Sequence, residues 1–351
     1  MVTKYVNTLS TAGGNGTTRD TSGANRAYAT QREALDAIGA SLSDSWRIYC
    51  EGSVADTSDL DQGAWDMTTT AANFLEIIGE QSPNHPNFSP SKSGKYDTSL
   101  YRVEATNRNG LYNNIPAHLR IEGVQVKVTV TDASSYVCFK TANANVTVSD
   151  ADFRVGYCIV QGVQTSGSLV GFESRPFGAG GAGTSKFYNC VAFDCNTNYN
   201  GEFVTTEFLN CTAMDSPQAN FLSSVANGAR CINCLASGAG IDDFLASGAF
   251  ASGSSNNASE DATAPGTSSR TSQTFTFVDA GSNNFHLAKT DAGAKGFGTT
   301  DPGAGLYNDD CDGQVRSGAW DIGFDQVVPL IGPRVQVYPR RPQAFAPGLA
   351  R

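Results

Sequence analysis

The sequence predicts an all-β protein: a right-handed, single-stranded parallel β-helix with a short N-terminal helical cap, a C-terminal β cap and an extended tail. Two recurrences and one compositional trait predict it. An Asn-Cys pair returns as Asn189-Cys190, Asn210-Cys211 and Asn233-Cys234, and an aromatic residue follows each pair after a polar turn, as Phe203, Phe221 and Phe244. Placing Gly123 and Asp150 in the cysteine column gives spacings of 27, 40, 21 and 23 residues, which is a solenoid period with longer excursions. The trait is 37 glycines in 351 residues with only 17% charged residues, a chain of turns and short apolar runs. One such coil cannot bury its inner face, whereas coils stacked about 4.8 Å apart align like residues into ladders. Small, weakly polar cysteine suits the interior of such a stack, and asparagine suits the bend beside it. Handedness follows from the general rule for parallel crossovers.

Residues 1–45 read as an N-terminal arm and capping helix. In "TQREALDAIGASL", Thr30 and Glu33 form a capping-box pattern, and Leu35, Ile38 and Leu42 share a face. Residues 46–250 read as β-helix coils, because "WRIYCEG", "FLEIIGE", "YRVEATN", "LRIEGVQVKVTV" and "VTVSDADFRV" are alternating and β-branched. The Gly/Ser-rich stretch 251–270 reads as a loop. Residues 271–326 follow as C-terminal coils and cap, and 327–351 as an extended, Pro-rich tail. The whole chain carries a net charge of −10, yet the tail holds Arg334, Arg340, Arg341 and Arg351 and no carboxylate. With Tyr338, those arginines are expected to anchor the protein to an acidic partner.

The acidic balance argues against nucleic acid as a partner, since phosphate recognition needs an excess of Lys and Arg. The start "MVTKYVNTLSTAGG" lacks the apolar core of a signal peptide, and no run approaches the ~18 apolar residues of a membrane span. Synthesis in the cytoplasm, no membrane contact and reduced thiols are therefore expected of the nine cysteines.

After residue 270 the pattern changes. "TFTFVDAGSNNFHLAKTDAGAKGFG" supplies Phe277, Asp279, Asn284, Phe285, His286, Leu287 and Gly296. "DDCDGQVRSGAWDIGFDQ" supplies Asp312, Gly313, Arg316, Gly318, Ala319, Trp320, Asp321, Ile322 and Gly323. These phrases resemble the closing segment of bacterial and phage parallel β-helix proteins. The opening "KYVNTLSTAGGNGTTRDTSGANRAYATQREALDAI" and the stretch "HPNFSPSKSGKYDTSLYRVEATN" are similar to phage and prophage members in character and order. On these residues the chain resembles phage right-handed, pectate-lyase-like β-helix virion proteins of the head-decoration, spike or tailspike type. The resemblance implies a cap built on Asp312, Gly313, Arg316, Trp320 and Asp321, a homo-oligomer such as a trimer, and capsid or tail subunits as partners.

Sharper chemical readings each meet a physical objection. Cys231 and Cys234 form a C-x2-C, but residues three apart on a strand face opposite ways and no second matched pair lies at ligand spacing. In "NDDCDG", Asn308, Asp310, Asp312 and Gly313 begin like an EF-hand loop, but the twelfth position is Ala319 rather than Glu, which favours an acidic turn. Glycan hydrolysis would need two facing carboxylates, for which Asp194, Asp215, Asp242 and Asp243 are the candidates; acidic residues are equally ordinary in turns. His85, His118 and His286 are scattered and read as structural. The expected function is therefore a non-enzymatic structural protein of a phage virion, without metal or cofactor, anchored through its termini to the head rather than the tail. The alternative is a tailspike-like protein that binds or degrades a host surface glycan.

Overall fold

The computed structural model describes residues 1–61, 65, 67–113, 117–141, 150–175, 183–202 and 205–327. They form a right-handed parallel β-helix of three sheets. The first has eight strands, from Val2–Asn7, Trp46–Glu51 and Leu75–Gly79 through His118–Glu122, Ala151–Gly156, Gly183–Tyr188 and Thr206–Leu209 to Ala229–Ile232. The second, also eight-stranded, runs from Ala55–Asp56 to Ala258–Ser259, and the third has six strands, from Leu111–Tyr112 to Asp242–Ala246. All pairings within them are parallel and in register, for example Phe187↔Phe208 and Phe208↔Cys231.

Register corrects the repeat alignment. Gly156 pairs with Tyr188 and with Glu122, so Tyr157 and Gly123 share the bend position of Asn189, while Cys158 and Val124 share that of Cys190. Gly123 is thus one place from its assigned column, and Asp150 belongs to a turn before the strand. The bend is a left-handed residue each time: Gly123 (φ 63°), Tyr157 (55°), Asn189 (48°), Asn210 (50°), Asn233 (56°) and Asn256 (52°). Asparagine tolerates this region best among side-chain-bearing residues. At Gly123 a Cβ would also lie 2.0 Å from the Ser82 amide nitrogen, so only glycine fits.

Inside, Cys158, Cys190, Cys211 and Cys234 stack in successive coils, each 0% exposed and unbridged. Burial pushes the thiols of Cys190 and Cys234 well above the usual range, so they pack as small apolar groups. The facing aromatic column is Phe139, Phe172, Tyr199, Phe221 and Phe244. Tyr199, not Phe203, occupies the rung beside Phe221, because the preceding bend is shorter than the polar turn suggested; Phe203 itself lies outside the described residues. The rings stack face to face: Tyr199–Phe221 at 4.6 Å and 10°, Phe221–Phe244 at 4.9 Å and 8°.

Three segment boundaries differ from expectation. The arm 1–45 contributes a true strand, Val2–Asn7, and its helix is short, Gln31–Asp36, with the Thr30 hydroxyl accepting from the Glu33 amide at 3.2 Å. Residues 251–270 form a further coil instead of a loop. Ala258–Ser259 extends the second sheet, Ser255 and Ala258 bridge Thr267 and Arg270 in parallel, and Asn257 is 0% exposed in the thiol column. Small residues suit a rung as well as a linker, so composition alone misread them. Residues 271–326 lie along the flank of the stack, not across its end. Their strands Phe277–Asp279 and Asn284–Leu287 pair antiparallel, and Phe285, Leu287, Ile322 and Phe324 cover the outer face of the second sheet at Ile159, Val191, Phe193, Met214 and Leu235. The tail with Arg334, Tyr338, Arg340, Arg341 and Arg351 lies outside the described residues.

Candidate functional site

The bend residues hold the flanking segment in place. The Asn189 amide donates to the Asp309 carbonyl (2.9 Å), Asn210 to that of Gly323 (3.0 Å), Asn233 to that of Thr299 (2.8 Å) and Asn256 to that of Phe297 (2.9 Å). The residues expected to cap the helix act here. Buried Arg316 donates to the Phe324 carbonyl (2.8 Å) and to Asn189 Oδ1 (3.0 Å), over the ring of Trp320. Asp321 accepts from the amides of Gly296 and Val327, both at 2.6 Å. Asp312 reaches the Ser93 hydroxyl, and Gly313, in a left-handed turn, lies against Phe88 and Pro83. Burial, with Asp325 beside it, pushes Asp310 up to about 8, while its Oδ1 accepts the amides of Asp312 and Gln314. The 308–313 stretch is thus a self-bonded acidic turn.

The four carboxylates proposed for hydrolysis do not form one pair. Asp194 and Asp215 are left-handed residues (φ 59° and 54°) stacked at a second bend at the surface; partial desolvation, with Asp215 beside it, raises the pKa of Asp194, and partial desolvation with Glu260 nearby raises that of Asp215. Asp243 is 1% exposed and ends a buried ladder: Asn198 donates to Asn220 Oδ1 at 2.7 Å, and Asn220 to Asp243 Oδ1 at 2.8 Å. Its Oδ2 accepts the Glu260 amide at 2.8 Å. Asp242, its neighbour, points the opposite way into an opening lined also by Phe244 and Phe250.

A cleft that sequence reasoning missed lies on the outer face of the first sheet. About 230 Å³ in volume, it is lined by Ala71, Phe74, His118, Arg120, Asp150, Asp152 and Arg154. Two adjacent strands build it, because register sets Asp152 beside His118 and Arg154 beside Arg120, and alternate residues share a face. The Arg120 guanidinium sits 3.8 Å from the centre of the Phe74 ring and forms no ion pair among the described residues. Arg154 and Asp152 pair through two contacts, at 2.7 and 3.0 Å. His118 is only 6% exposed, yet neither ring nitrogen has a hydrogen bond among the described residues; Nε2 lies 3.6 Å from the Asp150 carboxylate. An unsatisfied buried imidazole is costly. Along the sheet, register continues the row as Arg47, Glu76, Arg120, Arg154, Lys186, Glu207 and Arg230, with three cations adjacent at its centre. The signal was in the sequence as polar residues alternating within "HLRIE", "ADFRVG" and "TSKFY", but only register brings them into one line.

No family model matches the chain, and no curated protein does. Among solved structures, a rhamnogalacturonan lyase is similar at 14% identity, covering 74% of this chain and 68% of its own, with a TM-score of 0.33. A pectate lyase is similar at 13% identity, covering 93% and 97%, with a TM-score of 0.32.

Proposed function

We propose that the protein is a β-helical component of a phage particle that adsorbs an acidic surface glycan along its first sheet, by binding rather than cleavage. The observation that carries the glycan reading is the row Arg120, Arg154 and Lys186 beside the unbonded His118. Arg154 is paired with Asp152 and Lys186 with Glu207, which leaves Arg120 as the cation of the row without an ion pair among the described residues, and a carboxylated or sulfated sugar laid along the axis would supply its counter-charge. Phe74, stacked on Arg120, offers a wall for a sugar face. Asp152 is already engaged by Arg154, which leaves His118 and Asp150 as the groups lining the cleft that a cleavage reaction would need as a base.

Placement on a phage particle rests on the resemblance of the opening and closing segments. The tail arginines Arg334, Arg340, Arg341 and Arg351, with Tyr338, are proposed to grip neighbouring capsid subunits, and the protein to assemble as a homo-oligomer. Deleting residues 328–351, which leaves Val327 and its bond to Asp321 in place, should abolish incorporation into particles; normal incorporation would refute the anchor.

Binding to polygalacturonate and to a neutral glucan, measured by surface plasmon resonance, tests the glycan reading. Arg120→Ala with Arg154→Ala should weaken polygalacturonate binding about 100-fold, from the loss of two charged hydrogen-bonding groups, and salt should weaken the parent protein. Equal affinity for both glycans, or no effect of the double variant, overturns it. Release of unsaturated products or new reducing ends would replace adsorption by catalysis.

A further inference from the structure

We propose that His286, Cys311, Asp312 and Asp325 form a four-coordinate site for a zinc-type divalent cation that clasps the flanking segment shut. One ligand atom from each of these residues lies within 4.8 Å of every other. The edges fit: His286 Nε2 is 3.2 Å from Asp312 Oδ1 and 3.4 Å from Cys311 Sγ. Tetrahedral zinc with ordinary Zn–N, Zn–O and Zn–S bonds has N···O edges of about 3.3 Å and N···S edges of about 3.6 Å.

The surrounding hydrogen bonds aim the donors inward. Asn284 Oδ1, which can only accept, lies 2.6 Å from His286 Nδ1 and also takes the His286 amide at 3.3 Å. Nδ1 therefore carries the proton, and Nε2 faces a carboxylate and a thiol. Two acceptors cannot face each other without a cation between them, either a proton or a metal. A hydrogen-bond acceptor on the far imidazole nitrogen is the usual support of a metal-bound histidine. Asp325 Oδ2 accepts the Leu287 amide at 2.8 Å, which holds the carboxylate in place and leaves its other oxygen free. The Ser93 hydroxyl, from a loop of the coil stack, orients Asp312. Cys311 and Asp325 are 3% and 5% exposed, while the side chains of His286 and Asp312 are 14% and 18% exposed and leave an entry path. The donor set of one thiolate, one imidazole and two carboxylates suits zinc or cobalt better than calcium, which takes six to eight oxygens. All four residues sit in the flanking segment, so the ion would lock the strand Asn284–Leu287 to the turn and the end of that segment. The eight other cysteines are buried away from it in the coil stack.

The test uses the full chain, stripped with chelator and titrated with Co²⁺. One equivalent should bind, giving a thiolate-to-cobalt charge-transfer band and d–d bands of tetrahedral intensity. Cys311→Ser should lose the charge-transfer band, and His286→Gln should weaken binding at least tenfold. Zn²⁺ at a hundredfold excess over its dissociation constant should raise the thermal midpoint of the parent by about 4 °C relative to chelator. The parent titration is decisive even if a variant fails to fold. No cobalt band, a band that survives Cys311→Ser in a protein that unfolds cooperatively, or equal midpoints with zinc and chelator would overturn the site and leave a protonated His286 at this position.

Discussion

Asn210 shows how much one bend residue does. It holds φ 50°, donates to the Gly323 carbonyl and accepts from the Tyr307 hydroxyl at 2.8 Å. Asn210→Ala should cost about 2–4 kcal/mol, since a non-glycine residue in the left-handed region and newly unpaired buried groups each contribute. Urea unfolding measures this, and Asn210→Asp should be milder at low pH. The Asn-Cys pair was legible in the sequence because the left-handed bend and the small interior site both restrict residue choice. The donor role of the asparagines was not legible, because their acceptors lie more than a hundred residues away for Asn189 and Asn210.

His85 makes stability depend on pH. It is 3% exposed, its Nδ1 accepts the Asn87 amide at 3.0 Å, and burial, assisted by Arg19, lowers its pKa to about 3. The unfolded chain, near 6.5, binds the proton more readily, so the stability His85 contributes is present above pH 6.5 and is lost as pH falls toward 3. Between pH 7 and 4.5 the loss should be roughly 2–3 kcal/mol. His85→Asn, which keeps an acceptor for Asn87, should flatten that part of the stability profile measured by urea unfolding.

At the scale of elements, parallel strands repeat one decision per coil. The aromatic stack depends on it: Phe221→Ala removes a ring sandwiched between Tyr199 and Phe244 and should cost about 3–5 kcal/mol, read from chemical denaturation. Strand existence was legible from β-branched runs, whereas register was not. Phe203 and Tyr199 are both aromatics near the same turn, and only hydrogen-bonded pairing selects Tyr199. The second sheet carried an overlooked signal. "VAF" at 191–193 is buried throughout, against the alternation of a half-exposed strand, because the thiol-side core covers one face and the flanking segment the other.

For the whole molecule, the flanking segment supplies a second core outside the helix. Truncation after Arg270 should expose Ile159, Val191, Phe193, Met214 and Leu235 as one apolar stripe, and produce aggregation on size-exclusion chromatography with increased binding of a hydrophobic dye. A chain ending at residue 327 keeps this cover and should remain soluble.

The sequence by itself determined the class of fold, because a repeated bend residue, a repeated small interior residue and a repeated aromatic impose the same periodicity on the chain. It also determined the closing phrase of Asp, Gly, Arg and Trp as a structural unit. The tertiary structure alone decided where that unit goes, which residues share a rung, and which charges line one cleft. Those outcomes depend on pairing register and on contacts between segments far apart in the chain, as between Ser93 and Asp312 or Asn189 and Arg316. Local patterning does not encode such distances; packing two apolar faces against each other does.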